Sequence, residues 1–418
     1  MTREILKIGG YFLRKPLYLH ALYIKIKNRT NVKEERLKMK IRMYNVGYGD
    51  CFCLRDRKGS LLVDFGTSNS RIEGRPRKET FDVIISDLTT IEKKNLLLTH
   101  FHLDHLSGLL YMMKHKSSAY EFGKIYLPDV FSEKEMNRTL TLLLLADLEK
   151  DSFLPSRQVS LFALVEALCQ KPQKVELLSR GTMFEGKYQA LWPDKNIIRE
   201  ETDEMYQILE KEHGKALEAI AGFAEKLREI LCSMTEDREL AAEEMPDTRR
   251  MEREFRTLRA TEEFKQLLLF MEEKKLFLRR FKNKISIVFQ NKNDGELNLL
   301  FTGDAEKEHL EMIASDYDGK IPLFEHYWCI KVPHHGTQEH YFDFGKYTPE
   351  NMLISNGIHY ANSKKQSKEL RTSSQYGGIF YIPDAHMYCS NCDCCDGYEN
   401  GCSCKESDVI SPAYYKDI

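Results

Sequence analysis

The run "NLLLTHFHLDHLSGLL", residues 95–110, constrains this chain more than any other stretch. A short apolar run of this length reads as a buried strand, and His100, His102, Asp104 and His105 follow at its C-terminal end. His100 and His102 lie two apart, so on an extended strand end they point the same way. Asp104 and His105 come from the turn after it. Imidazole nitrogen and carboxylate oxygen suit zinc, manganese or iron, and a strand-end loop can aim such ligands at one or two ions. Four ligands so close in sequence make half a site, so the fold has to bring the rest from elsewhere.

The other half lies far downstream. "LLFTGDAE" ends a strand on Asp304, and "IKVPHHGT" ends another on His334 and His335. Alone, a Thr-Gly-Asp is more often a turn and a His-His pair more often surface. Here each follows an apolar strand in the same way as the first cluster.

The pattern between these pieces reads as alternating strands and helices. Lys40 to Leu54 predicts two strands joined by a turn around Gly47 and Gly49. "SLLVDFGTS" (60–68), "NLLLTH" and "GKIYLPD" predict buried strands. Residues 80–91 have helical spacing at Phe81, Ile84, Ile85 and Leu88, with Thr80 as the cap. Ser132 and Glu135 form a capping-box pattern ahead of a helix reaching about Lys150. "VELL", "MFEG" and "YQALWPD" return to strand. Residues 197–282 are charged and nearly free of glycine, with Leu217, Ile220, Phe223, Leu227 and Leu231 on one helical face and a break near Met245–Pro246. Strands resume with "KISIVFQ" (284–290), a turn at Asp294–Gly295, and "LNLLFTGD" (297–304).

This divides the chain into an N-terminal extension (1–37), a first half-domain (38–196), a helical insertion (197–282), a second half-domain (283–387) and a cysteine-rich tail (388–418). The extension fits poorly with the half-domain after it and is either an extra strand or the product of an upstream translation start. The order suits a layered α/β sandwich whose halves bring site residues together across the insertion.

Composition bounds the partners. With 42% hydrophobic and 30% charged residues the chain has an ordinary globular balance, and its formal charge of −2 gives no whole-protein pull on nucleic acid or anionic membrane. Phosphate binding would need a local patch. No apolar run reaches the roughly 18 residues of a membrane span, and the basic N-terminus lacks the apolar core of a secretory signal. A cytoplasmic protein without a membrane partner is expected. Six of the eleven cysteines crowd into residues 389–404, where a reducing compartment favours metal or free thiol over disulfide.

Five segments in order, "NVGYGDC" with "LLVDFG", "THFHLDHLSGL", "YQALWP", "LLFTGD" and "KVPHHGT", resemble the metallo-β-lactamase fold hydrolases. The resemblance is to the branch that includes the hydrolase domain of bacterial competence DNA-channel proteins. It spans residues 38–385 outside the helical insertion and implies a four-layer αββα sandwich. Carried across by position, His100 and His102 would hold one divalent ion, zinc or manganese, while Asp104 and His105 hold a second. Asp304 would bridge and His334 would complete the second site. Asp64 matches the family's strand-end aspartate, which orients the ligand loop through hydrogen bonds. His335 is read as a transition-state donor, with a ligand role as the alternative.

The chain departs from the family in two places. Only His115 and His213 lie where a further ligand often falls, on a helix and in the insertion, and both are read as packing or solvent residues. The late Gly…His-Pro element is replaced by "SNGIHYANSKKQ", where His359 is out of register.

Such a centre lowers the pKa of bound water enough to supply hydroxide near neutral pH. Asp104 or Asp304 would orient it or take its proton, and His335 would stabilise the developing charge. The expected reaction is metal-assisted hydrolysis, with a phosphodiester of a nucleic acid or nucleotide as substrate. A small ester, thioester or lactone is the alternative, and a non-enzymatic protein binding a partner through its helical insertion is a third. The segment "RIEGRPRKE" (71–79) offers Arg71, Arg75, Arg77 and Lys78 for phosphates, or forms an ordinary solvated loop. "RRMEREFRTLR" (249–259) carries acidic neighbours and reads as a solvated helix face. In the tail, Cys389, Cys392, Cys402 and Cys404, with His386 to spare, would either close a structural zinc site or remain free thiols.

Overall fold

A computed structural model describes residues 39–72, 74–150, 160–170, 173–235, 247–274, 278–356, 386–390 and 415–417. The strands in chain order begin with β1 (Lys40–Tyr44), β2 (Phe52–Arg55), β3 (Ser60–Val63), β4 (Arg71–Ile72), β5 (Arg75–Pro76), β6 (Lys94–Leu97), β7 (Lys124–Pro128) and β8 (Lys174–Leu178). They continue with β9 (Met183–Phe184), β10 (Tyr188–Trp192), β11 (Val288–Asn291), β12 (Leu299–Phe301), β13 (Tyr327–Lys331), β14 (Pro349–Ile354), β15 (His386–Cys389) and β16 (Tyr415–Asp417). The helices are α1 (Arg77–Thr89), α2 (Leu103–His115), α3 (Asn137–Lys150), α4 (Ser160–Cys169), α5 (Lys195–Thr235), α6 (Thr248–Thr257), α7 (Glu262–Glu273), α8 (Phe281–Lys284) and α9 (Lys307–Ala314).

Among the described residues the strands form two seven-stranded sheets, ordered β16-β1-β2-β3-β6-β7-β8 and β15-β14-β13-β12-β11-β10-β9, and a small β4-β5 hairpin. Strand alternation explains how they pack. In β3, Leu61 and Val63 join a core shared by the two sheets, while Leu62 faces the cluster that contains the helices. In β12, Leu299 and Phe301 meet that shared core and Leu300 points the other way. Ring contacts of Phe52 with Phe301 (5.6 Å) and of Tyr126 with Phe184 (5.3 Å) join the sheets directly. Pairing is parallel for β3-β6-β7-β8 and for β12-β13-β14-β15, so the C-terminal ends of these strands gather their loops at one edge.

Several local expectations shift. The helix expected from Thr80 starts at Arg77 behind Pro76, and Thr80 is buried inside it. Proline suits the start because its fixed φ is compatible with helix entry. Phe81, Ile84, Ile85 and Leu88 are its buried face, as the spacing predicts. Arg77 and Lys78 therefore open a helix, and Arg71 and Arg75 lie on a hairpin, so residues 71–79 are not one loop. The Ser132–Glu135 capping box does not form. Residues Lys134–Met136 make a 3-10 turn with no side-chain cap, and the α-helix begins at Asn137. The Ser132 N–H donates to Asp129 at 3.3 Å. "KISIVFQ" is strand only from Val288, because Phe281–Lys284 form a short helix.

The charged stretch is helical where described. The 41-residue α5 breaks at His213 (φ −132°, ψ 30°) and buries Leu217, Ile220, Leu227 and Leu231. Helices α6 and α7 are capped by Asp247 and Thr261. These helices share the large cluster with α3 and α4, through contacts such as Phe162 with Phe255 at 5.2 Å. Among the described residues no helix is long and apolar enough to cross a membrane. Residues 1–37, the expected break at Met245–Pro246, His359, and Cys392, Cys402 and Cys404 lie outside the described residues. Cys389 and His386 are the ends of β15, whose backbone alone is described at those positions.

Candidate metal centre

The loops after β3, β6, β12, β13 and β14 meet at one edge of the two sheets. The ligand loop is held there by close backbone packing. Phe65 N–H donates to His105 O at 2.7 Å, Asp50 N–H to Asp104 O at 3.1 Å, and Gly108 N–H to Phe65 O at 2.9 Å. Only glycine fits at two of these contacts. A Cβ on Gly66 would lie 2.6 Å from the backbone of Asp104, His105 and Leu106, and one on Gly49 would lie 2.7 Å from Asp104 O.

Asp64 follows β3 in a left-handed conformation (φ 56°), which non-glycine residues rarely adopt. The turn aims its buried carboxylate at the ligand loop. Asp64 Oδ1 accepts from Thr99 N–H and Oδ2 from the Thr99 hydroxyl, both at 2.8 Å, and Oδ2 lies 2.8 Å from His105 Nδ1. Thr99 Oγ1 is also 3.1 Å from His100 Nδ1. Asp64 thus fixes the rotamers of two ligand-type histidines, and its 0% exposure shields those bonds from water.

Around them the candidate ligand atoms converge. His100 Nε2 lies 2.9 Å from His102 Nδ1. Two nitrogens sharing a tetrahedral zinc at about 2.0–2.1 Å each would be separated by about 3.3 Å, which this pair approaches. Asp304 Oδ2 lies 3.1 Å from His105 Nε2, 3.5 Å from His335 Nε2 and 3.9 Å from His100 Nε2. His335 Nε2 is 3.7 Å from Asp104 Oδ2. The groupings His100–His105–Asp304 and Asp104–His105–His335 each place three ligand atoms within 4.8 Å of one another. Of the expected set, His100, His102, Asp104, His105 and Asp304 come together with His335. His334 turns instead to His340, its Nδ1 3.0 Å from His340 Nε2.

Asp304 reaches this place through residues that the sequence left unremarked. Ser286, expected within a strand, sits just before β11. Its hydroxyl accepts from Asp304 N–H at 2.8 Å and lies 3.4 Å from His100 Nδ1. Ile287 N–H donates to Thr99 O at 2.9 Å, which joins the two halves beside the ligand loop. Lys331, buried at the end of β13, pairs with Asp50 Oδ2 at 2.5 Å, donates to Gly303 O at 2.8 Å and lies 3.5 Å from Asp304 Oδ1. Asp50 in turn accepts from the Ser355 hydroxyl and faces His335 Nδ1 at 3.2 Å. A lysine ending the otherwise apolar strand "YWCIK" was the available signal for Lys331. Asp50 had only its segment "GYGDC".

The electrostatics fit a cation. Burial alone would raise the Asp304 and Asp104 carboxyls, but both are held well below the usual range. The positive charge that His105 and His335 bring beside Asp304, and that His335 and His105 bring beside Asp104, outweighs the burial. Burial lowers His105 and His335, yet Asp304 with Asp64 pushes the first well up, and Asp304 with Asp50 pushes the second to about 9. The carboxylates therefore draw positive charge into the cluster. Asp304 Oδ1 and His335 Nε2 are buried and have no hydrogen-bond partner among the described residues. An unsatisfied buried polar atom costs about 1–3 kcal/mol, and a divalent ion would satisfy both. The nitrogen and oxygen donors suit zinc, manganese or iron. Hence the residues present fit the metal that the sequence implies.

Two other histidines stand apart from this cluster. His115 is exposed at the end of α2 against Tyr111, and His213 packs on Phe270, both away from Asp304. Arg71, Arg75, Arg77 and Lys78 are exposed. Asn69, two residues before Arg71, links the segment leading into the hairpin to the cluster. Asn69 Oδ1 accepts from Tyr48 N–H at 2.6 Å, and the Tyr48 ring lies 4.3 Å from that of His335.

No curated protein matches the chain. The family model described as the metallo-beta-lactamase superfamily matches residues 44–119, a stretch that includes Asp50, Asp64 and the whole ligand loop, and superfamily domains of this kind are in general metal-dependent hydrolases.

Proposed function

We propose that the chain is a metal-dependent phosphodiester hydrolase with a four-layer αββα architecture of the metallo-β-lactamase kind. The observation that carries the hydrolase reading is the convergence of His100, His102, Asp104, His105, Asp304 and His335 from both halves of the chain on one buried cluster. A divalent ion held by these residues supplies Lewis acidity and lowers the pKa of water. The side chains do the rest. Asp104 and His102 are only partly buried and form the side of the cluster open to solvent. Asp104 orients an attacking water there and takes its proton. Asp304 neighbours the histidines of both candidate groups and fixes their spacing. Asp64 holds the ligand loop, and Lys331 with Asp50 holds His335.

The phosphodiester preference draws on the exposed basic residues of the β4-β5 hairpin and the start of α1, a segment that follows Asn69, whose side chain accepts from the N–H of Tyr48, the ring neighbour of His335. They offer positive charge to phosphates beside a cluster that selects no leaving group by itself. The test is turnover by the purified protein, supplied with manganese or zinc, on single- and double-stranded DNA, RNA and cyclic nucleotides. Cleavage of at least one of them is expected, reduced by about 10³-fold or more in Asp104→Ala. Ester or lactone turnover alongside inert nucleic acid and nucleotides would replace the substrate class and keep the metal chemistry.

A further inference from the structure

The two adjacent histidines after β13 are both left-handed, with φ 45° at His334 and 58° at His335. Successive residues in this conformation send their side chains into different surroundings, and the rings lie 5.6 Å apart at 81°. What surrounds each ring fixes where its proton sits.

His335 Nδ1 faces the Asp50 carboxylate at 3.2 Å and the Ser355 hydroxyl oxygen at 3.3 Å. The Ser355 hydroxyl is spent on Asp50. Both partners therefore accept, and Nδ1 must carry the proton. Nε2, buried beside Asp104 and Asp304 and without a hydrogen-bond partner among the described residues, is then the nitrogen that faces the cluster and would give its lone pair to an ion. That is the arrangement of a metal-bound imidazole backed by a carboxylate.

His334 has the opposite pattern. The chain behind it starts at Glu306, a carboxylate that only accepts. Asn283 Nδ2 donates to Glu306 Oε1 at 3.1 Å, and His340 Nε2 lies 3.4 Å from Oε2. The Thr337 hydroxyl lies 3.1 Å from His340 Nδ1 and can donate to it. The proton of His340 then sits on Nε2, which faces His334 Nδ1 at 3.0 Å. Asn283 Nδ2 offers a second donor to the same nitrogen at 3.4 Å. His334 Nδ1 accepts, so its own proton is on Nε2. A protonated nitrogen has no lone pair for an ion. His340 and Glu306 are buried and His334 is half-buried, which leaves the Nε2–H edge as the part of the ring free to meet a ligand. The His334 backbone N–H donates to Gly303 O at 3.2 Å, so this edge belongs to the residue standing next to Asp304.

We infer that His334 is a neutral hydrogen-bond donor to an anionic oxygen of the substrate, positioned by His340, Glu306 and Asn283, and that His335 is the metal ligand. The roles expected for the pair are thus exchanged. The donor role rests on the phosphodiester reading above, and the ligand assignment rests only on the metal cluster. A preorganised donor beside the ligand cluster stabilises charge that builds on a phosphoryl or departing oxygen.

The experiment uses the full chain, stripped with chelator and titrated calorimetrically with zinc, then with inorganic phosphate. His335→Ala should lose a bound zinc or about 10–100-fold in affinity, and His335→Asn, which can still meet Asp50, should behave alike if the alanine variant does not fold. His334→Ala should keep the wild-type zinc stoichiometry and bind zinc within about threefold of wild type. With zinc loaded, His334→Ala should bind phosphate about tenfold more weakly. His334→Gln, whose amide can donate, should recover much of that loss, and His340→Phe should resemble His334→Ala. Loss of zinc in His334→Ala with full zinc in His335→Ala overturns the ligand assignment. Unchanged phosphate affinity in zinc-loaded His334→Ala overturns the donor role. If zinc-loaded wild type binds no phosphate, the phosphodiester reading and the donor role fail together, while the zinc titration still decides which histidine is the ligand.

Discussion

Gly66 shows how strictly single residues are specified around the ligand loop. Its missing side chain lets Phe65 and His105 exchange a backbone hydrogen bond at 2.7 Å. A methyl group there would meet main chain on three residues at 2.6 Å, and main chain cannot swing aside as a side chain can. Gly66→Ala is expected to lower stability by about 2 kcal/mol or more and to reduce metal content. Gly222→Ala is the control, since no described residue lies within 4 Å of the added carbon on α5. It should stabilise by about 0.5–1 kcal/mol through helix propensity. Denaturant unfolding of the two variants checks the contrast, and equal midpoints would show that the loop packing is not so tight. The His-x-His-x-Asp-His pattern was legible because its residues are local and chemically unusual together. Asp50, Ser286 and Lys331 were not legible, because each is an ordinary residue type whose role exists only after distant loops meet. The expected spacing of two along an extended end does bring His100 and His102 to one place, within 2.9 Å.

At the scale of elements, the helices are tied to the ligand loop by a buried polar cluster. Lys282 of α8 bonds Asp147 of α3, the Ser160 hydroxyl at the start of α4 (2.8 Å) and Phe101 O (3.4 Å). Phe101 lies between His100 and His102, so this lysine joins three helices to the loop that carries the histidines. Asp147 also accepts from Ser160 Oγ and Leu161 N–H, which caps α4. Removing one partner of a buried pair leaves the other charge without compensation. Lys282→Met is therefore expected to cost about 3–5 kcal/mol, and adding Asp147→Leu should recover most of it. Urea unfolding measures both, and a single variant as stable as wild type would show that the cluster holds nothing. Whereas α4 and α9 were not read as helices, apolar spacing located α1 with its buried face, α3 and the helices of the charged stretch. Their starts were harder to read, because capping is decided by backbone geometry. Pro76 displaced Thr80, and a 3-10 turn displaced the Ser132–Glu135 box.

Over the whole molecule, the shared core of two facing sheets brings Asp304 and His335 to residues that precede them by some two hundred positions. Sequence showed that the two groups of ligand-type residues each follow an apolar strand. It did not show which of His334 and His335 faces inward, because that depends on two left-handed residues and on His340 and Glu306 behind them. The substrate is the least legible property, since the cluster is built from metal chemistry and the basic hairpin is exposed charge with several possible uses. The central claim is the metal centre itself. Elemental analysis of the full chain, purified without chelator, tests it most directly beside Asp304→Ala. Wild type is expected to hold one or two divalent ions per chain and the variant to lose most of them while remaining folded by circular dichroism. A folded wild type without bound metal, or Asp304→Ala with the full wild-type content, would contradict the account.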